Sequence, residues 1–145
     1  MKDETQETSF WPSDLSLFQE RTPVSIMKEQ AQILVKNTNY KLRGQVSTHS
    51  DEEGEIFHTF YVVVPALGNY RYELFAVSHG ALAYPVKIIS SPKAENEPNE
   101  RPRDAVNRMK KTLATEDDFV AWLKTILGSK ETRRLLASLL AQASA

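Results

Sequence analysis

The chain has 145 residues, 41% of them hydrophobic and 26% charged, a composition typical of a single globular domain. Eighteen basic and 19 acidic side chains give a formal net charge of −1, which excludes a molecule built around overall attraction to nucleic acid or acidic membranes. The sequence contains no cysteine, which excludes disulfides, thiolate metal sites and cysteine nucleophiles.

The N-terminal residues are polar and acidic, and residues 1–9 are predicted to form a disordered tail. No secretory signal is visible there, and the longest apolar run, Tyr61 to Leu67, is too short to cross a bilayer. We therefore expect a cytoplasmic protein without a membrane partner. The adjacent aromatic residues Phe10 and Trp11 are expected to dock onto the domain, because exposed aromatic side chains are costly.

A helix is predicted from Pro23 to Asn37. Thr22 is a suitable N-cap, and proline is favoured at the first position of a helix. Apolar residues recur through this segment at helical spacing, so that one face of the helix is expected to cover a sheet.

Four strands are predicted after this helix, joined by connections that are too short for parallel crossovers. The predicted sheet is therefore an antiparallel meander, which together with the helix forms a domain over residues 10–90. The predicted strands span residues 39–49, 55–64, 70–78 and 82–90.

The even-numbered positions of all four strands carry the strongest apolar residues, among them Tyr40, Phe60 and Leu74, so we expect the even face to be the core. Three cross-strand pairs follow from this alternation. They are Leu42 with Val62, Val62 with Tyr72, and Tyr72 with Ile88.

The C-terminal third is predicted to be helical. Residues 91–104 contain three prolines and form a linker, and a short helix is expected over residues 104–113. Thr115 and Ser129 are N-caps of two further helices, and Gly128 ends the first of them. The fold class is therefore α+β, and the segment 105–145 packs either with the sheet as one domain or with a partner.

Three residues at one end of the predicted sheet, His49, Glu55 and His79, fall together on the odd face and could in principle bind a divalent metal. The preferred interpretation is that they are solvated residues at strand ends, so we expect no metal and no cofactor. His58 has the opposite parity and is expected to be packed at the core margin. The sequence contains no nucleophile elbow and no glycine-rich phosphate loop.

Basic residues are enriched towards the C-terminus, where residues 92–145 hold ten basic and eight acidic side chains. The last two helices also have the outline of a helix-turn-helix, which makes nucleic-acid binding an alternative function. The basic residues concerned are Arg101, Arg103, Arg108, Lys110, Lys111, Lys124, Lys130, Arg133 and Arg134.

The favoured hypothesis is a non-catalytic protein–protein interaction module, such as a regulator, an antitoxin or immunity factor, or an assembly subunit. The last two predicted helices carry a large apolar stripe, which two short helices cannot bury against each other. We therefore expect the stripe to pack against either the sheet or another chain, in a homodimer or a heteromeric complex. A small metal- or ligand-dependent enzyme with a histidine site at the sheet end is the other alternative. The predicted interaction residues are Phe75, Val77, Trp122, Leu123, Ile126, Leu135, Leu136, Leu139 and Leu140.

Overall fold

The computed structural model describes residues 8–17, 20–92 and 112–145. These residues form an α+β fold in which an N-terminal helix, an antiparallel sheet and two C-terminal helices surround one core. The elements are α1 (Pro23–Asn37), β1 (Arg43–Ser50), β2 (Ile56–Val64), β3 (Tyr70–His79), β4 (Val86–Ser90), β5 (Thr112–Leu113), α2 (Glu116–Leu127) and α3 (Lys130–Ala143).

Helix α1 has the predicted bounds because both of its ends are capped by threonine. The Thr22 hydroxyl accepts a hydrogen bond from the Ser25 amide at 3.3 Å, and Pro23 occupies the first turn. At the other end the Thr38 hydroxyl donates to the Leu34 carbonyl at 2.8 Å and accepts from the Leu42 amide at 3.1 Å. The same threonine therefore ends the helix and fixes the approach to β1.

The sheet has the strand order β1-β2-β3-β4-β5, and each described strand runs antiparallel to its neighbours. Four strands were predicted, and the fifth, β5, pairs Leu113 with Val86. The prediction of a helix over residues 104–113 is therefore wrong at its last two residues, because a two-residue strand is too short to show alternation. The rest of that helix and most of the predicted linker lie outside the described residues, as do residues 1–7 of the predicted tail.

A β-bulge in β3 changes the predicted register. Val62 lies opposite Tyr72 as predicted and Tyr61 lies opposite Glu73, but the next pair is Phe60 with Phe75, so Leu74 is an extra residue in β3. Beyond the bulge the odd positions of β3 face the helices. The other two predicted pairs are wrong, because Val62 lies opposite Gly44 and Ile88 lies opposite Val77.

The bulge brings Phe75 into the core. Its ring stacks on Phe60 at 5.3 Å between centroids and meets the edge of Trp122 at 5.5 Å. The C-terminal helices pack over this aromatic cluster and bury Phe119 and Leu123 completely or nearly so. The chain thus uses its own C-terminal helices to cover its sheet.

Much of the predicted even-numbered core is confirmed, since Phe60, Val62 and Ile88 are all buried. Tyr40 is an exception, because Asn39 and Tyr40 have positive φ angles and belong to the turn before β1, where the Tyr40 side chain is 74% exposed.

Phe10 and Trp11 are also exposed, so their predicted docking is wrong. Within the described residues, none of the helices has the length and apolar content needed to cross a bilayer.

Helix α1 approaches β1 most closely at Gly44. A methyl group added to Gly44 would lie 2.5 Å from the Ala31 Cα and 2.9 Å from the Phe60 ring. Such distances are far inside van der Waals contact, so only glycine allows the helix and the strand to lie this close. Helix α1 is therefore seated directly on β1.

We predict that Gly44→Ala lowers the free energy of unfolding by about 1–3 kcal/mol, because the added methyl group overpacks the contact between α1 and β1. Urea unfolding monitored by circular dichroism measures the loss. The matched control is Gly80→Ala, since an added methyl group there meets no atom within 4 Å. Equal losses in the two variants would contradict the role assigned to Gly44.

Candidate functional site

The outer edge of β1 is the longest unpaired strand edge in the described part of the sheet. Strand β1 has eight residues, and among the described residues it pairs with β2 alone. Every second residue of such a strand directs its backbone N–H and C=O groups away from the sheet. At the opposite edge, β5 is described over Thr112–Leu113, which directly follow residues that are not described.

Natural sheets protect exposed edges with lysine, proline, bulges or very short strands. Strand β1 has none of these, because its sequence holds neither lysine nor proline and its register with β2 is continuous over all eight residues. Arg43 at the first position is the only lysine, arginine, aspartate or glutamate in the strand. The edge is therefore regular and competent to pair with another strand.

Charge is distributed unevenly along this edge. Lys41 and Arg43 are exposed at the start of β1, and Asp51, Glu52 and Glu53 are exposed in the turn that follows it. The Asp51 carboxylate also stabilises that turn, because its Oδ1 atom accepts from the amides of Glu53 at 3.0 Å and Glu55 at 2.9 Å. One end of the edge is basic and the other is acidic.

A second cluster, the histidine pair His58 and His79, lies on the core face of the sheet. The two Nε2 atoms are 2.8 Å apart, and the side chains are only 3% and 7% exposed. His58 Nδ1 is 2.8 Å from the Thr48 hydroxyl, and His79 Nδ1 is 2.7 Å from the Gly80 carbonyl oxygen. A hydrogen-bonded relay therefore runs from β1 through β2 and β3 to the following loop.

The Gly80 carbonyl determines the tautomers of the neutral pair, because a carbonyl oxygen can only accept. His79 must donate from Nδ1, which leaves its Nε2 atom as the acceptor for His58 Nε2–H. His58 Nδ1 then accepts from the Thr48 hydroxyl. The neutral pair thus satisfies every ring nitrogen, whereas a doubly protonated pair would place two N–H groups against each other.

The pKa of His58 is lowered from 6.5 to about 4, chiefly by burial and then by the positive charges of His79 and Lys28. His58 is consequently neutral at physiological pH. A substrate has no direct access to side chains this deeply buried, so the geometry favours a structural role for the pair.

The bulge also separates the residues considered as a metal site. His79 turns to the core face, while Glu55 stays on the open face, where its Oε1 atom accepts from the Ser78 hydroxyl at 2.9 Å and lies 3.5 Å from Lys87 Nζ. The His49 ring stacks on Phe57 at 5.0 Å. The predicted proximity of His49, Glu55 and His79 is therefore wrong, and no three potential metal ligands converge among the described residues.

The predicted interaction residues lie in or beside the core. Phe75 and Val77, placed on the odd face by the sequence pattern, face the helices because of the bulge. Leu123 and Leu139 are also buried. The remaining residues are half-buried around the same core; they are Trp122, Ile126, Leu135, Leu136 and Leu140.

Two clefts are lined by residues of both the sheet and these helices. One, of about 220 Å³, is lined by Leu34 of α1, Phe60 and Leu136, and it is smaller than the roughly 300–1,000 Å³ typical of small-molecule sites. The other, of about 400 Å³, lies beside Tyr72 and Pro92, where the chain enters residues that are not described. Neither cleft is lined by a histidine.

The basic residues considered for nucleic-acid binding are only partly described. Lys124, Lys130, Arg133 and Arg134 are exposed on α2 and α3, close in sequence to the acidic first turn of α2. The predicted basic residues between 101 and 111 lie outside the described residues. Comparisons with protein-family models, curated proteins and solved structures found no significant match.

The lowered pKa of His58 predicts a pH-dependent stability. Unfolding restores the pKa to 6.5, so the unfolded chain binds the proton more tightly and stability falls as the pH decreases from 6.5 towards 4. The contribution is about 3 kcal/mol at most. Urea unfolding at pH 7 and pH 4 is expected to show a larger loss for the wild type than for His58→Gln. The exposed-site control His49→Gln is expected to match the wild type, and an unchanged loss in His58→Gln would contradict the assignment.

Proposed function

We propose that the chain is a cytoplasmic, non-catalytic protein-interaction module that binds another protein chain by adding a strand to β1. The observation that carries this proposal is the eight-residue edge of β1, which has no pairing strand among the described residues and contains no lysine, proline or bulge. Strand addition derives its affinity from main-chain hydrogen bonds and its specificity from the flanking side chains.

The packing of α1 supports this proposal. Because Gly44 lets α1 rest directly on β1, and because β1 pairs with β2 along its whole length, the edge is held in an extended conformation before any partner arrives. A preorganised edge loses little conformational entropy when it binds. An eight-residue strand can therefore contribute to affinity without first having to fold.

The flanks of β1 supply the groups that would distinguish one partner from another. Tyr40 presents a side chain that is 74% exposed beside the basic end of the edge, and tyrosine is enriched at protein interfaces. The exposed charges at the two ends favour a partner strand with the opposite order of charge.

Site-specific photo-crosslinking tests this proposal. A photoreactive residue is introduced at the exposed Gln45 of the full chain, and the protein is irradiated in its native host. We expect a covalent adduct with another protein chain, because a strand added to β1 would lie beside residue 45. The adduct is identified by mass spectrometry, whether it contains a second copy or a different protein.

The matched control places the same residue at Lys124, which is exposed on α2 and far in sequence from β1. The proposal predicts an adduct at position 45 that is absent at position 124. Failure to form any specific adduct at position 45 would refute strand addition at β1.

A further inference from the structure

We propose that the chain which pairs with β1 is a second copy of this protein, joined by a two-fold axis that passes through Ser47. This inference rests on the proposed function, since it names the occupant of the same edge. The dimer would join two sheets into one continuous antiparallel sheet, β1 against β1 of the partner.

Symmetry restricts the register of such a pair. Two antiparallel copies of one edge strand are related by an axis perpendicular to the sheet, so both α1 helices lie on the same face. Opposite residues then point to the same face, which requires odd positions to pair with odd positions. The two-fold axis therefore passes through a residue of β1, and that residue lies opposite its own copy. Ser47, close to the middle of the strand, can occupy this position.

The charges along the edge favour the register centred on Ser47. In this register Arg43 lies opposite Asp51 of the second copy, one residue beyond the end of β1, and Lys41, two residues ahead of β1, lies towards the acidic turn that holds Glu52 and Glu53. Each basic end thus meets an acidic end, and the two-fold axis repeats the match at the other end of the pair. The charges at and just beyond the two ends of β1 are therefore self-complementary, as a symmetric interface requires.

The closest contact between helix α1 and β1 lies away from the proposed axis. Tyr84, just before β4, donates a hydrogen bond to the Arg21 carbonyl ahead of α1, whereas Ala31 lies on Gly44 of β1. The start of the helix therefore lies towards β4, and its later turns pack on β1. With the axis at Ser47, the two Gly44 contacts lie six residues apart along the strands, or about 20 Å.

The first experiment measures association by analytical ultracentrifugation of the full chain. The wild type is expected to dimerise in a concentration-dependent manner, since a single strand pair gives a small interface. One variant carries Lys41→Glu with Arg43→Glu and the other carries Glu52→Lys with Glu53→Lys. Asp51 is left unchanged because it caps its turn.

Each variant alone is expected to raise the dimer dissociation constant by about tenfold or more, because like charges then face each other at both ends. An equimolar mixture of the two variants is expected to associate again, since each basic end regains an acidic partner. The charge-matched control Lys124→Glu with Lys130→Glu is expected to dimerise like the wild type. Circular dichroism establishes that all variants are folded.

A second measurement tests the register without altering charge. The sequence has no cysteine, so Ser47→Cys introduces a single thiol. Residues directly opposite in an antiparallel pair have Cβ atoms about 4.5–5.5 Å apart, and mild oxidation is expected to link two copies through position 47. Gln45→Cys is the control, because two copies of residue 45 are four residues out of register and are expected to remain unlinked.

Three outcomes would overturn the inference: a wild type that stays monomeric at all accessible concentrations, charge variants that dimerise like the wild type, or a mixture of variants that fails to associate. A monomeric wild type whose residue 45 crosslinks to a different protein would overturn the dimer but leave the proposed function intact. Loss of every adduct at residue 45 would instead refute the proposed function.

Discussion

The β-bulge at Leu74 determines which side chains of β3 face the helices. By adding one residue to β3, it turns Phe75, Val77 and His79 towards the core while Val62 and Tyr72 remain opposite each other. The stacking of Phe75 on Phe60 and its contact with Trp122 both depend on that change of face. The docking of the C-terminal helices and the burial of the histidine pair therefore have a common geometric origin.

The same change of face leaves the two sides of the sheet chemically different. The helix side combines an aromatic cluster with a neutral histidine relay, in which each ring nitrogen has a partner. On the open side the larger residues are bridged by polar contacts, such as Arg71 over the Tyr61 ring at 4.1 Å and Lys87 beside Glu55. An exposed ion pair such as Lys87 with Glu55 contributes little to stability.

Local signals in the sequence were sufficient to predict the helices and the hairpin order of the sheet. Thr22, Thr115 and Ser129 each cap a helix in the structure as their sequence contexts indicate. The bulge was not predicted, because Leu74 and Phe75 are both apolar and alternation alone cannot decide which of them is the extra residue. That single error placed Phe75 and Val77 on an interaction surface and His79 beside His49 and Glu55.

The edge position of β1 was implicit in the predicted meander, since the first strand of a meander has only one neighbour. The predicted interaction surface consists of apolar residues, whereas β1 is mostly polar, so the prediction did not include this edge. The backbone groups of an unpaired strand edge are the same for every residue type, so they leave no pattern in the sequence. The close approach of Gly44 to Ala31 was not predicted either, because it is a contact between β1 and α1 and the sequence of each element alone does not indicate it.

The unpaired edge of β1, among the described residues, has a consequence for how copies of this chain could assemble. Growth of a fibre requires two different edges that pair head to tail, so that each added copy presents a fresh site. A two-fold pair uses the same edge of both copies. If β1 pairs with its own copy as proposed, this edge is occupied in both subunits at once, and the assembly closes at two subunits.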